Sequence, residues 1–380
     1  MASVGRLRRW RGSGIVLITA ISVNGACARK HAVPPDAIGE VRTYLDDDSR
    51  APAQDREAPN APELDWEAPL GRGSLGMPAV GSGAAAVTTV DRWLYAFDPR
   101  NGEVYWRTRG ETPFAAGPLV ANGRVYAASE GRDGAVSAHQ LRKGKRIWRR
   151  RMGDVAAPMA LGDSLLFATT QASGHTFALR AGDGEIAWRA RTGGSRSGPL
   201  FVGSHVAVVS LTDSLFVLKA ASGEIVTRVA LGTSTAAPLA LANDSTAVLT
   251  TPAGSVIAVT IPSGRIAWRH DGGRPIFGSP VVVRDTVFAL TSDCTLWTIP
   301  RGQTFASDSM MLDCNSVATP LITRSGVLVA TVGGDIVMFD RSDGTRRWER
   351  RVGGELRHAP MLVDGRVLVA PIYGPVVSYR

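Results

Sequence analysis

The chain has 380 residues, of which 44% are hydrophobic and 20% are charged, and its formal net charge is +9. This composition excludes a wholly disordered chain and a membrane protein with many spans. Its 42 glycines and 22 prolines suit short strands and turns better than a helical bundle. The three cysteines are too few for a disulfide-dense fold or a cysteine-rich zinc module.

The N-terminus has the organisation of an export signal. Four arginines within residues 6–11 precede an apolar run over residues 14–23, which is too short to cross a bilayer as a helix. Small residues before Cys27 resemble a bacterial lipobox, although Asn24 stands where that motif usually has leucine. We therefore predict a lipoprotein-type signal peptide over residues 1–26 and lipidation of Cys27. Ordinary secretion with cleavage nearby is the alternative.

Removal of the predicted signal peptide lowers the positive net charge of the remaining chain. Cleavage before Cys27 removes four arginines and no acidic residue, so much of the basic excess belongs to the export signal. The charge therefore does not indicate a nucleic-acid partner. Residues 27–61 are rich in proline, alanine and acidic residues and show no sustained apolar period, which predicts a solvated tether.

From residue 62 onward the chain repeats itself with a period of about 40 residues. The first marker is a proline that follows a small residue and precedes apolar residues, and it recurs at Pro78, Pro118, Pro158, Pro199, Pro238, Pro280, Pro320 and Pro360. The second marker is a tryptophan in step with the prolines, found at Trp66, Trp106, Trp148, Trp188, Trp268 and Trp348. Thr227 and Ala306 stand at the two remaining positions of this register.

Each copy has the pattern of four short strands. In the copy that starts at Pro118, Asn122-Gly123 separates two apolar runs, and this dipeptide is a signal for a tight hairpin turn. Four-stranded antiparallel sheets at this period predict an all-β fold, an eight-bladed β-propeller over residues 62–380. The last copy lacks its own tryptophan strand, so we expect an N-terminal strand near residues 64–68 to close the ring.

The tryptophans and the arginine runs have structural interpretations and open alternatives. A tryptophan at one register in six copies indicates a packing wedge between blades, with a ligand-stacking role for any one of them as the alternative. The runs at Arg149–Arg151 and Arg346–Arg347 flank outer-strand positions, where charge discourages edge-to-edge pairing of sheets. An anion or headgroup site is the alternative for these arginines.

Two cysteines lie within one copy of the repeat. Cys294 stands at the start of the third strand, and Cys314 follows the fourth strand. These two ends are neighbours in an antiparallel hairpin, so we predict a disulfide between them, which also fits an oxidising compartment. Two free buried thiols are the alternative.

The repeat phrase resembles the pyrroloquinoline-quinone (PQQ) type of propeller repeat. Examples are Trp93–Asp98 with Gly102–Arg107, and Gly174–Arg180 with Gly184–Arg189. Quinoprotein alcohol dehydrogenases with this repeat hold PQQ and Ca²⁺ near the ring axis and typically carry adjacent cysteines. This chain has no adjacent cysteines and no loop that concentrates Asp, Glu and Asn, so we predict no enzyme, cofactor or metal site. A small PQQ-dependent dehydrogenase is the less favoured alternative.

In size and layout the chain also resembles the BamB family, the propeller lipoproteins of the outer-membrane β-barrel assembly machinery. The resemblance implies a non-catalytic scaffold on the periplasmic face of the outer membrane, anchored by its lipid. It would bind the barrel-forming core subunit and aid the assembly of unfolded outer-membrane proteins. The residue after Cys27 is Ala28 rather than Asp, which fits sorting to the outer membrane. A generic ligand-binding PQQ-repeat lipoprotein, or a soluble periplasmic or secreted protein, is the alternative.

The family's partner patch lies in loops before the proline strands of two neighbouring middle copies. The matching loops here are 193–198 and 232–237, from which the resemblance implies a partner-binding rim formed by Ser195, Arg196, Ser234 and Thr235. Arg196 supplies the basic member of the patch. Thr233-Ser234-Thr235 supplies no acidic residue where the family carries aspartate.

Overall fold

A computed structural model of the protein describes residues 56–114, 116–300, 303 and 308–380. It contains 32 strands in eight antiparallel sheets of four strands each. Within these residues, no helix is long and apolar enough to cross a bilayer. The eight-bladed β-propeller predicted from the repeats is confirmed. The predicted signal peptide, Cys27 and the tether up to residue 55 lie outside the described residues.

The strands follow the repeats in chain order. Strand β1 (Leu64–Ala68) precedes the first complete blade. Blades one and two consist of β2 (Ala79–Gly81), β3 (Ala84–Thr88), β4 (Trp93–Phe97), β5 (Val104–Arg109), β6 (Leu119–Ala121), β7 (Arg124–Ala128), β8 (Ala135–Gln140) and β9 (Arg146–Arg151). Blades three and four consist of β10 (Ala160–Leu161), β11 (Leu165–Thr169), β12 (His175–Arg180), β13 (Ile186–Arg191), β14 (Pro199–Val202), β15 (His205–Val209), β16 (Ser214–Lys219) and β17 (Ile225–Ala230).

The second half of the ring has the same organisation. Blades five and six consist of β18 (Ala240–Asn243), β19 (Thr246–Thr250), β20 (Ser255–Thr260), β21 (Ile266–Asp271), β22 (Val281–Val283), β23 (Thr286–Leu290), β24 (Thr295–Pro300) and β25 (Asp308–Met311). Blade seven consists of β26 (Leu321–Ile322), β27 (Gly326–Ala330), β28 (Asp335–Asp340) and β29 (Arg346–Arg351). Blade eight contains β30 (Met361–Val363), β31 (Arg366–Val369) and β32 (Val376–Tyr379), and β1 completes it.

The apolar pattern of each blade explains where the core lies. The second and third strands are buried almost throughout, as in β3 and β16, because both faces of each blade pack against neighbouring blades. The outer strands alternate instead, and β13 buries Trp188 while most of its other side chains are exposed. Several inner hairpins turn at residues with positive φ, such as Asn122 (51°) and Gly123 (68°). These values match the type I′ turn that the sequence predicts.

Strand β1 pairs with β32 and joins the two ends of the chain. Leu64 lies opposite Tyr379, and Ala68 lies opposite Val376. The backbone N–H of Arg380 donates to the Glu63 carbonyl at 2.9 Å, and the N–H of Glu63 donates back at 2.9 Å. The predicted closure by the N-terminal strand is therefore confirmed, and the ring has no unpaired edge at its seam.

Residues 56–62 lie against the last two blades, although the sequence predicts a tether up to residue 61. Ala58 is 3% exposed and packs between blades seven and eight. Trp348 Nε1 donates to the Pro59 carbonyl at 3.0 Å, and Arg350 Nε donates to the Pro62 carbonyl at 2.7 Å. In other blades the equivalent acceptors belong to the turn between the third and fourth strands. Residues 56–62 therefore take the place of the turn that blade eight lacks.

The ring has two faces, which we distinguish by their loops. The upper face carries the loops that lead from the outer strand of one blade to the inner strand of the next, such as residues 192–198 and 231–239, together with the loops between second and third strands. The lower face carries the turns between first and second strands and between third and fourth strands, such as residues 141–145.

Candidate functional site

The two loops that carry the predicted rim lie on the upper face, before blades four and five. Of the four predicted residues, Arg196 is exposed and Ser234 is half-buried. Ser195 is fully buried, with its Oγ 3.4 Å from Ser197 Oγ, and Thr235 is 4% exposed. Thr235 Oγ1 accepts a hydrogen bond from the Ala237 N–H at 3.0 Å. The hydroxyls of Ser195 and Thr235 therefore serve their own loops, and Arg196 and Ser234 offer the side-chain surface.

Arg196 is held in place by a glutamine that sequence reasoning missed. With the Gln171 amide oxygen turned toward the guanidinium, this oxygen accepts from Arg196 Nη2 at 2.9 Å and from Nε at 3.1 Å. Gln171 lies in the loop between β11 and β12, in the blade before the one that Arg196 precedes. Its backbone N–H donates to the Asp154 carbonyl at 2.9 Å. The contact fixes the direction of an exposed cation.

Gln171 stands at a position whose backbone hydrogen bond recurs around the ring. In seven blades a residue two or three positions after the second strand donates its N–H to a carbonyl in the loop that leads into the same blade. The pairs are Val90 to Gly73, Glu130 to Pro113, Gln171 to Asp154, Leu211 to Gly194, Ser292 to Pro275, Val332 to Asn315, and Ile372 to Glu355. In blade five this position is Pro252, which has no N–H to donate. These bonds hold the loops of the upper face to one another.

Acidic side chains of the upper face lie one blade before the predicted patch. Burial, and then the nearby Asp154 carboxylate, raise the pKa of Glu130. Glu130 follows β7 and Asp154 lies in the loop before blade three. Residues 233–235 contain no acidic partner for Arg196. The acidic groups of Glu130 and Asp154 stand on the other side of Gln171.

Arg196 has a counterpart across the ring. Both Arg196 and Arg357 stand three residues before the proline that marks an inner strand, in the loops before blades four and eight. Blades four positions apart in a ring of eight lie on opposite sides. Arg357 is also exposed, and its Nε donates to Glu355 Oε1 at 2.6 Å. The upper rim thus carries two exposed arginines in equivalent positions with different partners.

A cavity of about 220 Å³ lies on the ring axis at the upper face. Its lining comes from the residues before the inner strands and consists mainly of glycine, alanine and proline, with Phe277, Arg357 and His358 as larger members. His358 stands two residues before its proline, where the other blades have Gly, Ala or Ser. Burial, and then Arg357, lower the pKa of His358 to about 4, so its imidazole is neutral at neutral pH.

The axial cavity does not fit a calcium-bound quinone. None of the residues that line it is Asp or Glu, whereas Ca²⁺ takes six to eight oxygen ligands, commonly carboxylates. Across the described ranges, no three His, Cys, Asp or Glu side chains converge closely enough to hold a metal ion. Ser279 Oγ also lines this part of the fold and is buried without a hydrogen-bond partner.

The repeated tryptophans pack between blades in the outer strands. Three of them donate their indole N–H to a carbonyl of the next blade, at Leu141 (2.6 Å from Trp106), Ala181 (3.0 Å from Trp148) and Ala220 (2.8 Å from Trp188). Trp268 is 5% exposed, and Trp66 is half-buried. In blade four, Thr227 stands at the tryptophan position, and its hydroxyl donates to the Pro262 carbonyl of the next blade at 3.1 Å.

The prediction that Ala306 occupies the tryptophan register in blade six is wrong. Thr298 pairs with Asp308, at the position where β12 pairs Ala178 with Trp188. The chain between β24 and β25 is longer than in the sister blades, so spacing from the neighbouring repeats gives the wrong residue. Ala306 itself lies outside the described residues.

Cys294 and Cys314 form a disulfide on the upper face, with their Cα atoms 5.6 Å apart. Cys294 has a positive φ of 61°, at a position where two sister blades have Gly254 and Gly334. A Cβ atom on Gly334 would lie 2.3 Å from the Gly354 carbonyl oxygen. The disulfide of blade six therefore stands at the position where, in blade seven, the backbone of Gly334 closely approaches the next loop.

Comparison with known proteins agrees with this architecture. A family model described as outer membrane protein assembly factor BamB matches residues 58–135, 132–226, 212–304 and 311–378. A curated relative, outer membrane protein assembly factor BamB from Burkholderia pseudomallei, is 24% identical over 342 residues, which are 83% of this chain and 87% of the relative.

Solved structures share the fold. BamB from Moraxella catarrhalis superposes with a TM-score of 0.72 at 14% identity, over 84% of this chain and 99% of that one. The quinohemoprotein alcohol dehydrogenase ADHIIG from Pseudomonas putida HK5 gives a TM-score of 0.70 at 14% identity, over 92% of this chain and 82% of that one. At this identity both show the fold alone. Because the family model matches nearly the whole ring, the chain belongs to the family of outer membrane protein assembly factor BamB.

Proposed function

We propose that the protein is a non-catalytic scaffold in the assembly of outer-membrane proteins. The observation that carries the proposal is the family match, which extends from residue 58 to residue 378 with one short break. The match to the relative from Burkholderia pseudomallei, an outer membrane protein assembly factor, covers 87% of that protein. The place of action is then the periplasmic face of the outer membrane, where Cys27 would carry a lipid anchor.

The partner in this proposal is the core subunit of the barrel-assembly machinery, with unfolded outer-membrane proteins as further clients. In this proposal Arg196 contacts the core subunit, because its side chain is exposed and its guanidinium is fixed by Gln171. Glu130 and Asp154 add negative charge one blade away. Charges of both signs on one face favour a single orientation of a complementary partner.

The construction of the upper face also suits a binding scaffold. The ring closes through paired strands, and in seven blades a backbone hydrogen bond ties two loops of the upper face together. Loops that are held before binding lose less conformational entropy when a partner docks. We assign the binding surface to these loops for that reason.

The test compares two arginines at equivalent positions. Tagged Arg196→Glu and Arg357→Glu proteins are produced at matched levels, and the core subunit that co-purifies from detergent-solubilised membranes is measured. Arg196→Glu is expected to lower capture by about tenfold or more, because a reversed charge at a fixed contact typically costs several kcal/mol. Arg357→Glu, on the opposite side of the ring, is expected to leave capture unchanged. Equal capture by both variants would contradict the placement of the partner at Arg196.

A further inference from the structure

Blade two carries an only partly neutralised group of basic side chains at its lower, outer edge. The turn between β8 and β9 and the start of β9 contain no acidic residue over 141–151. We use the name basic edge for four exposed residues of this segment, which are Arg142, Lys143, Lys145 and Arg146. The charge continues up the outer strand as Arg149, Arg150 and Arg151.

Carboxylates neutralise this segment only in part. Arg146 Nη1 lies 3.1 Å from Glu111 Oε1, and Arg149 shares the same carboxylate at 3.3 Å. Among the described residues, Arg142, Lys143 and Lys145 form no ion pair. The turns of blades three and four differ, because they contain their own acids: Arg180 pairs with Asp183 and Glu185, and Lys219 pairs with Glu224 at 2.7 Å.

Apolar side chains accompany the basic edge. Ile147, directly after Arg146, is 39% exposed, and Ile186 on the outer strand of the next blade is 42% exposed. Basic groups beside exposed apolar groups are typical of surfaces that lie in a membrane interface, where cations meet phosphates and apolar side chains enter the headgroup layer. A purely acidic protein surface would pair with the basic groups but would make no apolar contact with the isoleucines.

Residue 56 lies at the same face of the ring as the basic edge. The Arg324 N–H, in the lower-face turn between β26 and β27, donates to the Arg56 carbonyl at 3.2 Å. Residue 56 is the first that the structure describes, and the segment with Cys27 precedes it. Arg196 lies on the upper face, so a membrane at the lower face would leave the proposed partner site open.

We infer that the basic edge docks on an anionic phospholipid surface and gives the ring a second contact with the membrane. The inference rests on the proposed function for its location, since that function brings the protein to a membrane. Lysine and arginine side chains donate several hydrogen bonds to headgroup phosphates, and each basic residue near an anionic surface adds to the attraction. An acyl chain and a basic patch together anchor a protein more firmly than one acyl chain.

The test measures binding of the mature chain, from residue 27 onward and with Cys27→Ser so that it cannot be acylated, to vesicles. One set contains phosphatidylglycerol and phosphatidylcholine, and the other contains phosphatidylcholine alone. The test variant is Lys143→Ser with Lys145→Ser. The matched control is Lys219→Ser with Arg265→Ser, which removes the same number of exposed charges from the lower-face turns of blades four and five. The N-terminal segment is common to all proteins compared, so differences report on the turns.

We expect preferential binding to the phosphatidylglycerol vesicles. The test variant should bind them about thirtyfold more weakly, and the control should change by less than about threefold. Equal binding to both vesicle types, or equal losses in both variants, would overturn the inference. Tighter binding to polyglutamate than to the vesicles would overturn it in favour of an acidic protein. Capture of the core subunit in detergent does not depend on this contact, so a failure here is distinct from a failure at Arg196.

Discussion

The indole ring of Trp148 lies directly over Gly184 of the next blade, where a Cβ atom on the glycine would stand 2.4 Å from Trp148 Cε3. The contact recurs around the ring between an outer-strand side chain and the glycine of the next blade's turn. The pairs are Trp66–Gly102, Trp106–Gly144, Trp148–Gly184, Trp188–Gly223, Thr227–Gly264 and Met310–Gly344. Each of these glycines has a positive φ, so one residue serves both the turn and the contact between blades.

Replacing Gly184 with alanine is expected to destabilise the protein by about 3 kcal/mol. Its φ of 74° costs an alanine about 1–2 kcal/mol, and displacing the Trp148 ring adds about 1–3 kcal/mol. Urea unfolding, followed by tryptophan fluorescence, measures the change. Gly203→Ala separates the two causes, because Gly203 has a φ of 57° but no atom within 4 Å of the added Cβ. Equal losses for Gly184→Ala and Gly203→Ala would show that the indole contact contributes nothing.

Residues 56–62 are expected to stabilise the seam between blades seven and eight. Ala58→Glu would place a charge in a site that is 3% exposed, so the segment should detach rather than bury the carboxylate. We expect the free energy of unfolding to fall by about 1–3 kcal/mol, because a detached segment loses only the contacts that residues 56–62 make with the ring. Ala61→Glu is the control, because Ala61 is exposed. An unchanged unfolding midpoint for Ala58→Glu would contradict the docking of this segment.

Removal of the Cys294–Cys314 disulfide is expected to lower stability by about 3 kcal/mol, because the closed loop restricts the unfolded chain. The replacement at position 294 should matter, since its φ of 61° favours glycine. Cys294→Gly with Cys314→Ala should therefore be about 1 kcal/mol more stable than Cys294→Ala with Cys314→Ala. Thermal unfolding of the two variants and of the oxidised protein measures both effects. The opposite order of the two variants would contradict the account of this turn.

Acid is expected to destabilise the protein through His358 before most carboxylates titrate. Its pKa is lowered from 6.5 to about 4, so the unfolded chain binds a proton at this group over a pH range where the folded ring does not. Stability should fall by about 2–3 kcal/mol as pH decreases from 6.5 to 4 and be unaffected by this group below pH 4. His358→Gln removes the effect, and the difference between the two proteins in urea midpoints against pH measures it. Parallel pH profiles would contradict a neutral imidazole at His358 in the folded ring.

The repeats were sufficient to predict the blades and the closure of the ring. Each copy is one unit that cannot bury its apolar faces alone, so the two periodic markers define both the unit and its neighbours. Prediction failed where periodicity ends. The longer connection between β24 and β25 shifts the tryptophan register from Ala306 to Asp308. Residues 56–61 have a tether-like composition, but their carbonyls satisfy donors of blade seven.

The rim was harder to predict, because loop conformations do not follow the period of the strands. Spacing places Ser195, Arg196, Ser234 and Thr235 in two neighbouring loops, but it does not distinguish exposed side chains from buried ones. The contact between Gln171 and Arg196 joins side chains of different loops, which the strand period does not relate. The backbone bond from Gln171 to Asp154 does repeat, but it is visible only in the structure.

The most direct test of the proposed function is affinity purification of the tagged full-length protein from native membranes in mild detergent, with mass spectrometry of the proteins that co-elute. We expect a large outer-membrane barrel protein with periplasmic domains at near-stoichiometric yield. Elution of the propeller alone, or with a soluble partner only, would contradict a role in barrel assembly.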